Sequence, residues 1–355
     1  MTMSLSPDQV ARYERDGFLV VPDFLTPDEV ATLRARSWEL VEGFRPTDIS
    51  VFSTKNQARV RDRLWLKART DRYFLDSSSD VSFFFEEDAF GPAGELTRPV
   101  SASINKIGHA LHDLDPTFRA ASRSDKVRGV LRSLRYVRPV PMQSMIIFKQ
   151  PRIGGEVVAH QDATFLHTTP RDTVCGLWMA LEDATMENGC LLALPGSHRH
   201  GVAKRFVREK RENGAGDDPA GDPAGDSAAG AAAPRPEADS VGVTFVPDSE
   251  TPAAPGPEEW AAQEAAFVPV PVKAGTLVVL HGYNAHKSFP NASGASRVAY
   301  AMHVIEGGDG VTWDPANWLQ RDETKVPLEP LYDDDEGGAT TKPSPGPAAQ
   351  PTVCA

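Results

Sequence analysis

The chain has 355 residues, 40% of them hydrophobic, and a formal net charge of -12. No apolar run approaches the roughly 20 residues that a membrane span needs, and no stripe of Lys and Arg suits a phosphate backbone, so neither a membrane nor a nucleic acid is an expected partner. The acidity is local: nine acids stand against Arg235 alone between Glu212 and Glu250, four stand against Lys342 from Asp333 onward, and the remainder is close to neutral.

Ser6-Pro7-Asp8-Gln9 and Thr26-Pro27-Asp28-Glu29 each place a hydroxyl at the N-cap, proline at N1 and Glu or Gln at N3, so each opens an amphipathic helix. Between them the apolar run Gly17 to Pro22 predicts a short strand. Residues 101 to 135 mix a strand start with helical spacing, and Pro139 to Lys149 reads as a strand. Further strands are expected at Glu156 to Asp162, Val174 to Leu181, Gly189 to Leu194, Thr276 to His281 and Arg297 to Ile305, separated by Gly, Pro, Asn and Asp clusters. Many short strands behind two helices predict a mainly β, α+β fold built as a double-sheet jelly roll. One domain is expected over 1–332. Within it, 212–257 is rich in Ala, Gly, Pro and Asp and is expected to be a low-complexity disordered insertion, and 333–355 a disordered acidic tail.

Cys175, Cys190 and Cys354 show no CxxC spacing, which argues against a disulfide framework or a thiolate zinc site. The N-terminus lacks the basic start and apolar stretch of a signal peptide, and PTVCA is not a peroxisomal address, so the expected compartment is the cytoplasm.

His160-Gln161-Asp162 is the central chemical signal. Residues two apart in a strand project to one side, so an imidazole and a carboxylate can grip one cation. A second imidazole completes a two-His, one-carboxylate facial set that leaves positions open for other ligands. His286, after the strand TLVVLH and the loop GYNA, is the candidate; His281 and His303 are rivals, and His167 and His198 lie near the same strands. Arg297 favours His286. It stands eleven residues further on, across the turn-forming SFPNASGAS, where a returning strand would set its planar fork to grip the distal carboxylate of a dianionic co-substrate.

HQD, LPGSH at Leu194 to His198, and the His286 to Arg297 spacing together resemble the phytanoyl-CoA dioxygenase family. SINKIGHALHDLDP, QSMIIFKQPRIGGEVVAHQDATFL, EDATMENGCLLALPGSHRHGV and TWDPANWLQ extend the resemblance from about Ser6 to Tyr332, with the main interruption at Glu212 to Pro257. The resemblance implies a cupin-like double-stranded β-helix, a Fe(II) cofactor, 2-oxoglutarate and O2 as co-substrates, ascorbate as a reductant, and a small-molecule substrate hydroxylated with release of succinate and CO2. It implies a metal triad of His160, Asp162 and His286, and 2-oxoglutarate contacts at Lys106, Met145, Trp178, Ser288 and Arg297. An acyl-CoA-like prime substrate would follow only by analogy.

Two other readings fit two imidazoles and a carboxylate: a zinc hydrolase, and a non-catalytic 2-oxoglutarate-binding or scaffold protein on the same fold. Arg297 weighs against the first. His109 and His112, three apart, are expected to be structural neighbours on one helix face, His198 to stabilise a turn, and the run Ser82 to Glu87 to be core packing before an acyl-binding wall. The oligomeric state is not legible in the sequence.

Overall fold

A computed structural model describes residues 3–46, 50–52, 73–92, 94–210, 241–248, 254–308 and 310–334. The strands are, in chain order, β1 (Phe18–Val21), β2 (Val51–Phe52), β3 (Val81–Glu86), β4 (Ile104–His109), β5 (Pro139–Lys149), β6 (Val157–His160), β7 (Thr168–Thr169), β8 (Cys175–Ala180), β9 (Leu191–Ala193), β10 (Lys204–Lys210), β11 (Val241–Pro247), β12 (Val268–Val270), β13 (Leu277–His281), β14 (His286–Ser288), β15 (Arg297–Glu306) and β16 (Thr312–Trp313). The helices are α1 (Pro7–Asp16), α2 (Pro27–Gly43), α3 (Leu111–Leu114), α4 (Pro116–Ser122), α5 (Asp125–Ser133) and α6 (Pro257–Ala262). None of them is long and apolar enough to cross a membrane.

α1 and α2 begin where the capping signals place them. Ser6 and Thr26 accept from the backbone N–H groups of Gln9 and Glu29, whose side chains accept from the two N-cap residues in return. Each such cap contributes about 1 kcal/mol by satisfying donors that the first helical turn leaves open. α1 ends at Gly17, whose left-handed φ of 78° is easy only for glycine; a Cβ there would also lie 2.4 Å from His198 Nδ1.

The strands form a jelly roll of two sheets. The larger runs β1-β13-β8-β15-β5-β4-β3-β2 and the smaller β12-β9-β14-β6. The central strands β8 and β15 are buried along their whole length because each face packs on something different. Leu177, Met179, Val298, Tyr300 and Met302 join the core beneath α1, α2 and α5, while Trp178, Ala180, Ala299 and Ala301 face the smaller sheet. This is the period of two at work: one set of side chains builds the helix-covered layer, and the alternate set is left to line the interior of the roll. Burying each of the large apolar side chains contributes about 1.5–3 kcal/mol.

Three expectations need correction. The stretch 212–257 is not uniformly without structure: Val241–Pro247 is a strand paired in antiparallel register with Lys204–Lys210, and α6 starts at Pro257. Its Val-Gly-Val-Thr-Phe-Val core has the β-branched and aromatic content that the Ala/Gly/Pro run before it lacks; residues 211–240 and 249–253 lie outside the described ones. The tail expected from Asp333 is pinned at its start, where Asp333 pairs with Arg138 and Asp334 with Arg132; 335–355 lie outside the described residues. His109 and His112 do not share a helix face. His109 ends β4 and meets Ser77 Oγ at 2.8 Å, and His112, in α3, meets Ser144 Oγ at 2.7 Å. Both are buried, and the helix starts after β4 has ended.

Candidate metal centre and co-substrate pocket

The register of the smaller sheet puts His286 of β14 directly opposite His160 of β6, with ring centroids 4.3 Å apart. Asp162 lies just beyond β6 at the start of a 3-10 turn, but Gln161 between them keeps extended dihedrals of -121° and 136°, so the two-residue spacing still brings both side chains to one side. The Nε2 atoms of His160 and His286 each lie 3.7 Å from Asp162 Oδ1. One ligand atom from each of the three residues lies within 4.8 Å of the others, and no other such cluster of His, Cys, Asp and Glu occurs among the described residues.

Backbone carbonyls fix which nitrogen of each ring faces this point. His160 Nδ1 is 2.9 Å from the Val158 carbonyl and His286 Nδ1 3.0 Å from that of Asn284. With those nitrogens donating, both Nε2 lone pairs are directed at Asp162. Burial, aided by the neighbouring His286, pushes the His160 imidazole down to about 4, so it is neutral near pH 7. Burial alone would raise the Asp162 carboxyl, but His303, His286 and His160 outweigh that and hold it well below the usual carboxylate range. Two imidazole nitrogens and an ionised carboxylate form the donor set that binds a divalent transition metal.

The LPGSH motif explains how His286 is held. Ser197 Oγ donates to the Leu194 carbonyl and accepts from Ala285 N–H and Asn284 Nδ2, so the turn carrying Asn284 and His286 is tied to the end of β9. His198 itself meets the Glu14 carbonyl through Nε2, a stabilising contact away from the metal donors.

The rivals for the third donor are placed elsewhere. His281 accepts from Tyr283 N–H at Nδ1, and His167 is buried beside Asn317. His303 touches the triad without joining it: its Nε2 is 3.2 Å from Asp162 Oδ2, the oxygen turned away from the other two histidines. Gly176 completes this side, since a Cβ there would come within 3.0 Å of Asp162 Oδ2 and 3.7 Å of His303.

A cavity of about 560 Å³ runs from the triad into the roll. Lys106, Met145, Trp178, Ser288 and Arg297, all expected from the sequence, line it. They come from β4, β5, β8, β14 and β15, each in phase with the interior face. Arg297 is 2% exposed and donates from Nη2 to the Gly189 carbonyl at 3.1 Å, with its guanidinium 5.4 Å from the Trp178 ring centre. Its Nε and Nη1 are buried and have no hydrogen-bond partner. Unsatisfied guanidinium nitrogens are costly in a fold unless a ligand meets them. Burial also draws the Arg297 guanidinium down to about 10 and the Lys106 ammonium down to about 7. Lys106 stands 5.1 Å from the Phe84 ring centre and 5.7 Å from that of Phe74.

The sequence reading missed Lys149 and Glu86. Lys149, directly opposite Arg297 in the β5–β15 register, donates to the carbonyls of Gly155 at 2.5 Å and Phe289 at 2.9 Å. Glu86 accepts from Gly155 N–H at 3.2 Å. Desolvation pushes Glu86 up to about 7 and Lys149 down to about 7. A period-two count in both directions from Met145 reaches Gln143 and Lys149, and one forward from Arg297 reaches His303, all of which line the cavity. Of the run Ser82 to Glu87, Phe84 and Phe85 are buried in β3 and none of its residues lines the cavity, so the packing reading holds and an acyl wall there does not.

The model of the phytanoyl-CoA dioxygenase (PhyH) family matches residues 13–299. The chain belongs to the phytanoyl-CoA dioxygenase family. Within it, the Arabidopsis thaliana phytanoyl-CoA dioxygenase is 44% identical over 94% of this chain and 98% of its own. The Mus musculus phytanoyl-CoA dioxygenase domain-containing protein 1 is 41% identical over 92% and 99%. Among solved structures, the non-heme alpha ketoglutarate dependent carbocyclase SnoK superposes with a TM-score of 0.53 at 18% identity, over 92% of this chain and 94% of its own. EctD from S. alaskensis with bound Fe superposes with a TM-score of 0.53 at 17% identity, over 94% and 89%. These structures share the PhyH chain's jelly-roll fold.

Proposed function

We propose that this PhyH-family chain is an Fe(II)- and 2-oxoglutarate-dependent dioxygenase that hydroxylates a small molecule. One observation carries the reading: His160, Asp162 and His286 converge on a cavity that is also lined by a buried arginine with two unpartnered nitrogens. The donor set fits a ferrous ion, and a guanidinium at the closed end fits the far carboxylate of a keto diacid. Bound there, the metal would supply O2 activation, with one oxygen atom entering the substrate C–H bond and the other entering succinate as CO2 leaves.

The chain's own residues have defined tasks in this reading. Arg297 binds the distal carboxylate, assisted by the Ser288 hydroxyl and the Lys106 ammonium. Met145 and Trp178 wall the co-substrate and exclude water, which strengthens the charge interactions inside. His303, against Asp162 Oδ2, and Ser197, through Asn284, orient the donors. A zinc hydrolase has no use for a second anion clamp behind the metal, and a binding-only protein would take up 2-oxoglutarate without forming succinate. The test is succinate release from 2-oxoglutarate with Fe(II) and ascorbate, with O2 present and absent. The reading expects O2-dependent succinate and, with substrate, a product carrying one added oxygen atom. Substrate hydrolysis that persists without O2, or 2-oxoglutarate binding without succinate, would overturn it.

A further inference from the structure

The outer half of the cavity is chemically unlike the co-substrate end. The His160 side chain is 22% exposed, against 8% for both Asp162 and His286, so the triad opens on the His160 side. Phe165 stands edge-on to His160 there, with centroids 6.0 Å apart. Phe206 of β10 and Phe245 of β11 continue the wall, 5.6 and 6.2 Å from Phe165 and 4.9 Å from each other. At its end, Lys204 Nζ lies 4.4 Å from the Phe245 ring centre. Lys204 lines the cavity, is half-buried and has no ion pair among the described residues. Neighbouring cations are already engaged: Arg205 pairs with Asp314, Arg208 donates to the carbonyls of Trp318 and Leu75, and Lys287 pairs with Glu264. A lysine resting only on a ring face keeps its ammonium available to an anion.

We infer that the prime substrate is a small monoanionic acid with an apolar body. Its carboxylate pairs with Lys204, its body lies along Phe245, Phe206 and Phe165, and a carbon about two ring widths from the carboxylate faces His160. The inference rests on the dioxygenase reading and deepens it. One uncompensated cation matches one carboxylate. A polyphosphate, such as that of a coenzyme A thioester, calls for several cations, which the described mouth does not offer.

The test is calorimetric titration, without O2, of protein loaded with Mn(II) and saturating 2-oxoglutarate, which occupies the Arg297 end so that acids binding there are not scored. The probes are decanoate and 3-phenylpropionate, their methyl esters, decanoyl-coenzyme A and decylamine. At least one acid binds about tenfold or more tighter than its ester and than the thioester. Lys204→Met removes that margin, and Lys204→Glu turns the preference toward the amine. An ester or thioester that binds as well as the acid, or an acid preference that survives Lys204→Glu, overturns the inference. Because nothing turns over in this titration, an enzyme that fails to form succinate would contradict the dioxygenase reading while leaving acid-selective binding to be judged separately.

Discussion

The two ends of the cavity are built on different principles. At the closed end Arg297 and Lys149 line the cavity almost wholly buried and are bonded to the backbone carbonyls of Gly189, Gly155 and Phe289, while the buried Glu86, off the lining, accepts from Gly155 N–H. At the open end Phe165, Phe206, Phe245 and Lys204 meet through ring faces and edges, and Phe245 remains partly in solvent. Hydrogen bonds to fixed carbonyls hold one geometry and so suit an invariant co-substrate, whereas aromatic contacts tolerate sliding and suit a substrate chosen by shape and a single charge. Within one jelly roll, the two sheets supply the first kind of surface, and the paired strands β10 and β11, which bring Lys204, Phe206 and Phe245 to the cavity lining, supply much of the second.

Damage at the closed end is expected to be severe and to fall on 2-oxoglutarate. Arg297→Leu removes a buried charge-assisted pair, costing about 3–5 kcal/mol, so the KM for 2-oxoglutarate rises about 100-fold or more; steady-state succinate assays check it. Lys149→Met keeps the side-chain volume but leaves the Gly155 and Phe289 carbonyls unsatisfied. The expected cost is about 1–3 kcal/mol, seen as a lower melting temperature together with a raised KM for 2-oxoglutarate. An effect on melting alone would reduce Lys149 to a structural strut.

A smaller effect follows from pH. Lys106 and Lys149 are both drawn down to about 7 by burial, so both lose their protons as pH rises through 7. Cationic below that point and neutral above it, they weaken co-substrate binding as pH rises, and the KM for 2-oxoglutarate should increase several-fold between about pH 6 and 8. The same depression has the opposite sign for the unliganded fold. From pH 7 up to the ordinary lysine value the unfolded chain holds protons that the folded one does not, so stability rises with pH over that window. The smallest expected change is at the open end: Phe245→Ala removes one wall of a half-exposed aromatic cluster, about 0.5–1.5 kcal/mol, and should raise the KM of the prime substrate by no more than about tenfold.

The sequence disclosed these regions unequally. The triad was legible because His160 and Asp162 are close in the chain, and His286 because Arg297 follows it on the next strand. The helix caps and β5 were legible because their signals are local. Lys149 was within reach of the period-two count along β5, but Glu86 was not legible, since nothing in the chain around it says that β3, β5 and β15 share one sheet; only the tertiary register does. The hairpin was hidden by composition: the Ala/Gly/Pro run before Val241 masked a short β-branched strand whose partner lies across a long connection. His303 was weighed as a donor in its own right, because the spacing gives no hint that it reaches the far oxygen of Asp162.

Anaerobic equilibrium dialysis of Fe(II) tests directly whether His160, Asp162 and His286 hold the metal. Wild type and His281→Ala should retain one ferrous ion per chain, while Asp162→Ala and His286→Ala lose it. Undiminished iron binding by His286→Ala, or its loss from His281→Ala with the fold intact, would contradict the assignment.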